Sequence, residues 1–79
     1  MTETIKIYPN PARNYVEIES IHVIDSGKVL DGLGKEVASS KYLVSSRNLV
    51  LDVSSLDTGL YFLEIEVNGI QVIKQLVIE

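Results

Sequence analysis

Hydrophobic and polar residues alternate along most of the chain, and this period of two predicts β-strands. The clearest case is Val16 and Ile18, which alternate with Glu17 and Glu19 and predict a strand with one face in water. Most other apolar residues are β-branched or aromatic, as is typical of strands. The pattern predicts about seven strands, near residues 5–8, 16–24, 29–30, 37–44, 49–53, 60–67 and 70–78.

Turn residues separate these segments at short intervals. Asn68-Gly69 lies between the two longest predicted strands, and this dipeptide is the strongest sequence signal for a two-residue hairpin. Residues 31–35 predict a second hairpin, and Asp25-Ser26-Gly27 also has the composition of a turn. Short strands with turns every 8–12 residues or so predict an all-β protein, an immunoglobulin-like antiparallel β-sandwich, with a small closed barrel as the alternative.

The chain has 79 residues, which is enough for one small domain. We therefore expect residues 1–79 to form a single domain, with residues 1–4 as the remnant of a linker. There is no cysteine and only one histidine, so neither a disulfide nor a metal or other cofactor is expected to stabilise the fold. The core must come from side-chain packing.

Charge excludes two classes of partner. The net charge is −4, and the seven basic residues are spread along the chain rather than clustered. Nucleic-acid binding and attachment to an anionic membrane surface both require a basic patch, so neither is expected. No apolar run approaches the roughly 20 residues of a membrane-spanning helix.

Residues with catalytic chemistry do not form a recognisable constellation. His22 has no acid or nucleophile at a hydrolase spacing, and Glu64 and Glu66 are expected on a solvated strand face. Asp52 and Asp57 flank a loop but offer too few oxygen ligands for calcium. The sequence therefore predicts a protein that is not an enzyme.

Three motifs carry more information. Tyr8-Pro9-Asn10-Pro11 predicts a rigid turn where the first strand ends, because proline fixes the backbone and cannot donate to a ladder. Gly59 and Tyr61 stand at the head of a long strand, where β-sandwiches place a tyrosine corner. The third, residues 31–35, is an Asp-x-x-Gly-Lys turn.

The last predicted strand, residues 70–78, is apolar on both faces and carries a basic residue, Lys74. Two interpretations remain open for it. It is either a central strand buried on both sides, or an edge strand that offers its free side to a partner.

Together these motifs resemble the C-terminal sorting domain of proteins exported by the type IX secretion system, over residues 5–78. The matching positions are the first motif (Tyr8, Pro9, Asn10 and Pro11), the turn residues Gly34 and Lys35, the corner residues Gly59 and Tyr61, and Lys74. Residues 25–28 are a shortened version of the same mid-domain turn, so that the sequence leaves two choices for it.

The resemblance implies a non-catalytic export signal. Its partners would be the outer-membrane translocon, a sortase-like peptidase that cleaves near the N-terminal boundary, and a cargo protein fused in front. The implied localisation is the periplasm in transit, then the medium or the cell surface of a Gram-negative bacterium. Residues 1–4 carry no secretory signal, so we expect the cargo to carry it.

A second interpretation is a generic immunoglobulin-like accessory or carbohydrate-binding module of a secreted bacterial protein. Sugar-binding platforms use exposed aromatic side chains, and this chain has no tryptophan, one phenylalanine and four tyrosines. The composition therefore weighs against a carbohydrate-binding module.

Overall fold

The computed structural model describes residues 5–39, 42–45 and 47–79. Within these residues the chain forms β-strands joined by turns, with no helix. The eight strands are β1 (Ile5–Tyr8), β2 (Tyr15–Ser20), β3 (Ile24–Leu30), β4 (Glu36–Ser39), β5 (Tyr42–Ser45), β6 (Asn48–Asp52), β7 (Gly59–Val67) and β8 (Ile70–Ile78).

The strands form two four-stranded antiparallel sheets. The first sheet has the order β1-β2-β6-β5, and the second has the order β4-β3-β7-β8. The inner faces of both sheets supply one continuous apolar core. The predicted all-β antiparallel sandwich is therefore confirmed.

Alternation along the strands decides which side chains enter this core. Val16 and Ile18 of β2 are fully buried, and so are Leu63 and Ile65 of β7 in the second sheet. The remaining buried apolar residues are Ala12, Ile24, Val29, Leu49, Leu51, Val53, Val67, Leu76 and Ile78.

The chain crosses between the sheets at two places that the pattern alone did not show. The segment predicted as one long strand ends at Ser20, and the chain resumes as β3 in the other sheet from Ile24. Ile21 and Val23 between them are exposed. Likewise, the weak strand predicted over residues 37–44 is two strands, β4 and β5, in different sheets, which raises the count to eight.

Gly27 lies within β3, so the turn predicted at Asp25-Ser26-Gly27 is wrong. Gly27 pairs with Ile65 and is buried on the core side. A Cβ atom there would lie 2.6 Å from Leu49 Cδ2 of the first sheet. The glycine is needed for the close approach of the two sheets rather than for a turn.

The hairpin prediction at Asn68-Gly69 is confirmed. Val67 pairs with Ile70, which leaves these two residues as the loop between β7 and β8. Their φ angles are 51° and 80°, the positive values that a type I′ turn requires.

Candidate recognition surface at the last strand

Strand β8 lies at the edge of the second sheet, where β7 is its neighbour in the sheet. The interpretation of β8 as a central strand is therefore wrong, because β8 is an edge strand. One face of β8 nevertheless contributes Leu76 and Ile78 to the core. The last strand is thus a part of the fold that also presents an edge to its surroundings.

Part of that edge is covered by the segment that follows β1. The Ala12 N–H donates to the Val77 carbonyl at 2.8 Å, and the Glu79 N–H donates to the Ala12 carbonyl at 2.8 Å. Ala12 and Ile78 form a parallel bridge, and Ala12 is fully buried. The chain therefore adds a very short parallel strand to the end of β8.

The Asn10 side chain continues this cover. Its Oδ1 atom accepts a hydrogen bond from the Val77 N–H at 3.1 Å, and its Nδ2 atom donates to the Gln75 carbonyl at 3.3 Å. The side-chain amide thus pairs with the outward backbone of β8 as another peptide group would. We call residues 10–12 the edge clamp.

The two prolines lie where the chain changes sheets. Strand β1 ends at Tyr8 in the first sheet, and Ala12 is already bonded to the second sheet. Both peptide bonds that precede Pro9 and Pro11 are cis. The predicted turn at the end of the first strand is confirmed, and its consequence is that the first motif lies against the last strand.

Tyr8 itself lies on the first sheet, opposite Glu17. Loss of hydration, together with the carboxylates of Glu17 and Glu19, raises the pKa of the Tyr8 phenol.

The tyrosine corner is also present. The Tyr61 hydroxyl donates to the Asp57 carbonyl at 2.8 Å, four residues upstream. Tyr61 is half-buried and packs against the core, and Gly59 begins β7 opposite Ile78. The corner therefore fixes the loop that leads into β7, at the end of the sheet where β8 finishes.

The turn at residues 31–35 lies elsewhere. It joins β3 to β4, at the edge of the second sheet opposite β8. Asp31 Oδ1 accepts hydrogen bonds from the N–H groups of Lys35 and Leu33, both at 2.9 Å, and these bonds hold the Asp31 pKa below its ordinary value. Gly34 has a φ of 84°. Gly34 and Lys35 are therefore turn residues, and the structure does not bring them to the last strand.

Lys74 is directly opposite Leu63, whose side chain is fully buried, so Lys74 points to the core side of the sheet and is half-buried. A charge that faces inward on an edge strand discourages uncontrolled strand pairing. Lys74 thus lies on the face of β8 that also carries Leu76 and Ile78.

Sequence reasoning did not single out the outer face of the second sheet. Leu60 lies opposite Val77 there, and Ile73 lies opposite Glu64. The exposed fractions of Leu60, Ile73 and Val77 are 51%, 57% and 40%, which is high for side chains of this type. We define the apolar stripe as Leu30, Leu60, Phe62, Ile73 and Val77. The sequence signal for the stripe is that β8 has apolar residues on both faces. The structure shows that only one of these faces is buried in the core.

In the part of the chain that the structure describes, no three acidic or histidine side chains converge as metal ligands. An open depression on the outer face of the second sheet is lined by Ser26, Gly27, Lys28, Glu36, Glu64, Glu66 and Gln71, without an aromatic ring. This lining does not provide the stacking platform that a sugar-binding module uses. No helix among the described residues is long and apolar enough to cross a membrane.

The fold and these surfaces define a small β-sandwich whose last strand has an exposed edge. A family model for the secretion system C-terminal sorting domain matches residues 6–79, and the chain therefore belongs to this family, the C-terminal sorting domains of type IX secretion. No curated protein and no solved structure matches the chain. Members of the family are sorting signals rather than catalysts, carried as C-terminal tails of secreted or cell-surface cargo proteins.

Proposed function

We propose that this domain is a non-catalytic export signal that directs a fused cargo protein from the periplasm to the outer-membrane translocon of the type IX system. A sortase-like peptidase then removes the domain near its N-terminal boundary, and the cargo is released or anchored at the cell surface. The observation that carries this proposal is the family match over residues 6–79.

The geometry supports a signal that is read as a folded unit. Three hydrogen bonds join the edge clamp to β8 and a fourth joins it to Glu79, although about 65 residues separate these segments in sequence. A receptor that contacts the last strand therefore meets the first motif beside it. Neither segment keeps this arrangement unless the whole sandwich is folded.

The test is an export assay in a host with a working type IX system. Residues 1–79 are fused behind a signal peptide and a fluorescent reporter, and the reporter is measured in the periplasm and in the medium or at the cell surface. We expect export of the fusion, and periplasmic retention of the same reporter without the domain. The mass of the exported reporter reports whether the domain has been removed.

The host must be shown to export its own cargo in the same culture. Retention of the intact fusion in such a host would contradict the proposed function. Deletion of residues 74–79 is a poor test, because it also removes Leu76 and Ile78 from the core. A variant that leaves the core intact is required to separate recognition from folding.

A further inference from the structure

The edge clamp covers only one half of the outer edge of β8. The bonds from Asn10 and Ala12 show that the backbone of Val77 faces away from β7. Backbone groups of every second residue in a strand point the same way, so those of Gln71 and Ile73 also face outward. The described residues supply no hydrogen-bond partner to these groups.

Unpaired backbone groups on an edge are a template for another strand. In this domain the template is bounded: the clamp occupies residues 75–79, and the hairpin turn at Asn68-Gly69 ends the strand on the other side. The accessible part is residues 71–73, which we call the open edge. Ile73 belongs both to the open edge and to the apolar stripe, so the two surfaces are continuous.

A second copy of this chain is a poor occupant for this surface. The clamps would confine the pairing of two β8 strands to a few residues around Ile73. Such a contact is small beside the roughly 1,000 Å² that a specific interface buries. A different protein that adds a strand and also carries an apolar surface beside it would cover the open edge and the stripe together.

We propose that the type IX translocon recognises this domain by strand addition: an extended segment of the receptor pairs with the open edge, and adjacent apolar side chains of the receptor cover the apolar stripe. This inference rests on the proposed function. Main-chain pairing supplies affinity in such complexes, and side-chain contacts supply specificity. The edge clamp has a defined part in this scheme, because it stops the added strand at residue 75 and so fixes its register.

The decisive variant is Ile73→Pro. It removes an outward N–H but no hydrogen bond to β7, and proline is tolerated on the free side of an edge strand. Ile73→Thr is the matched control, because it loses the same apolar side chain but keeps the N–H and the β-branched shape. Loss of the backbone bond weakens binding roughly tenfold. In the export assay we therefore expect Ile73→Pro to be retained in the periplasm and Ile73→Thr to be exported more efficiently.

Thermal unfolding of the purified Ile73→Pro and Ile73→Thr domains is measured first, so that only folded variants are compared in the export assay. If Ile73→Pro does not fold, Gln71→Pro and its control Gln71→Thr provide the same comparison at the other end of the open edge. Because the chain has no cysteine, Gln71→Cys can also carry a photo-crosslinker. It should join the translocon, whereas Lys6→Cys on the first sheet should not.

The outcomes separate the two proposals. Retention of the intact fusion contradicts the sorting function itself. Export of the intact fusion together with undiminished export of a folded Ile73→Pro variant overturns strand addition and leaves the sorting function in place. Sedimentation that shows a dimer of the intact domain, dissociated by Ile73→Pro, assigns the open edge to a second copy and also overturns the proposal.

Discussion

Replacing Gly27 with alanine tests the close approach of the two sheets. The new Cβ atom would lie 2.6 Å from Leu49 Cδ2 and 3.7 Å from Ile18 Cδ1. The second distance is an ordinary contact, but the first is well inside the 3.5–4.0 Å or so at which carbon atoms attract. Leu49 is fully buried, so its side chain can move only by displacing other core residues.

The expected cost follows from two opposing effects. An additional methyl group in a packed core costs about 1–3 kcal/mol. Replacing a strand glycine reduces the entropy of the unfolded chain and returns roughly 0.5–1 kcal/mol. The net loss is about 1–2 kcal/mol. Small domains have stabilities of about 0.05–0.15 kcal/mol per residue, so this loss is a substantial fraction, and the melting temperature should fall by about 4–16 °C.

Gly32→Ala is the control, because a Cβ atom there meets nothing within 4 Å. Thermal unfolding of both variants and of the parent measures the difference. Adding Leu49→Val to Gly27→Ala should cost less than the sum of the two single changes, since the smaller side chain relieves the contact. If Gly27→Ala melts at the same temperature as Gly32→Ala, the sheets are not as close as described.

Two further predictions concern the hydrogen bonds near the last strand. Tyr61→Phe should lower the free energy of unfolding by about 0.5–1.5 kcal/mol, because the bond to the Asp57 carbonyl is solvent-accessible and water can replace the phenol; an unchanged urea midpoint would refute the corner. Asn10→Ala removes two bonds to β8 and should cost about 1–3 kcal/mol. The measurement specific to Asn10→Ala is the rate of hydrogen exchange at the Val77 amide, which should increase. The control variant Asn14→Ala should leave this rate unchanged.

Features set by neighbouring residues could be predicted from the sequence. The sequence signals for the Asn68-Gly69 hairpin, the Asp31 turn and the Tyr61 corner each lie in residues that are close together in the chain. Of the two candidate mid-domain turns, residues 31–35 do form the hairpin, whereas Gly27 lies in a strand. A glycine in the sequence can indicate either a turn or a close contact between two sheets. At Gly27 only the position of Leu49 in the folded structure distinguishes these two cases.

Features set by distant partners could not be predicted. Asn10 bonds to residues 65 and 67 positions away, and nothing in its local pattern indicates that its amide pairs with β8. The inward direction of Lys74 depends on its register with Leu63. The open edge could be recognised only from the order of the strands in the sheet, because a strand that is apolar on both faces can be either a central or an edge strand. The open edge and the apolar stripe were therefore found from the structure, whereas the sequence indicated only strand β8 and the motif residues Asn10 and Pro11.

The parallel bridge between Ala12 and Ile78 has a mechanical consequence. Force that pulls the first strand away from the C-terminal end acts along these two segments, which run in the same direction. The hydrogen bonds of the edge clamp are then sheared together instead of opening one after another. In a domain that is tethered at one end to a cargo and held at the other by a receptor, the pulling force would pass through the edge clamp. The first motif would then raise the force needed to detach the last strand.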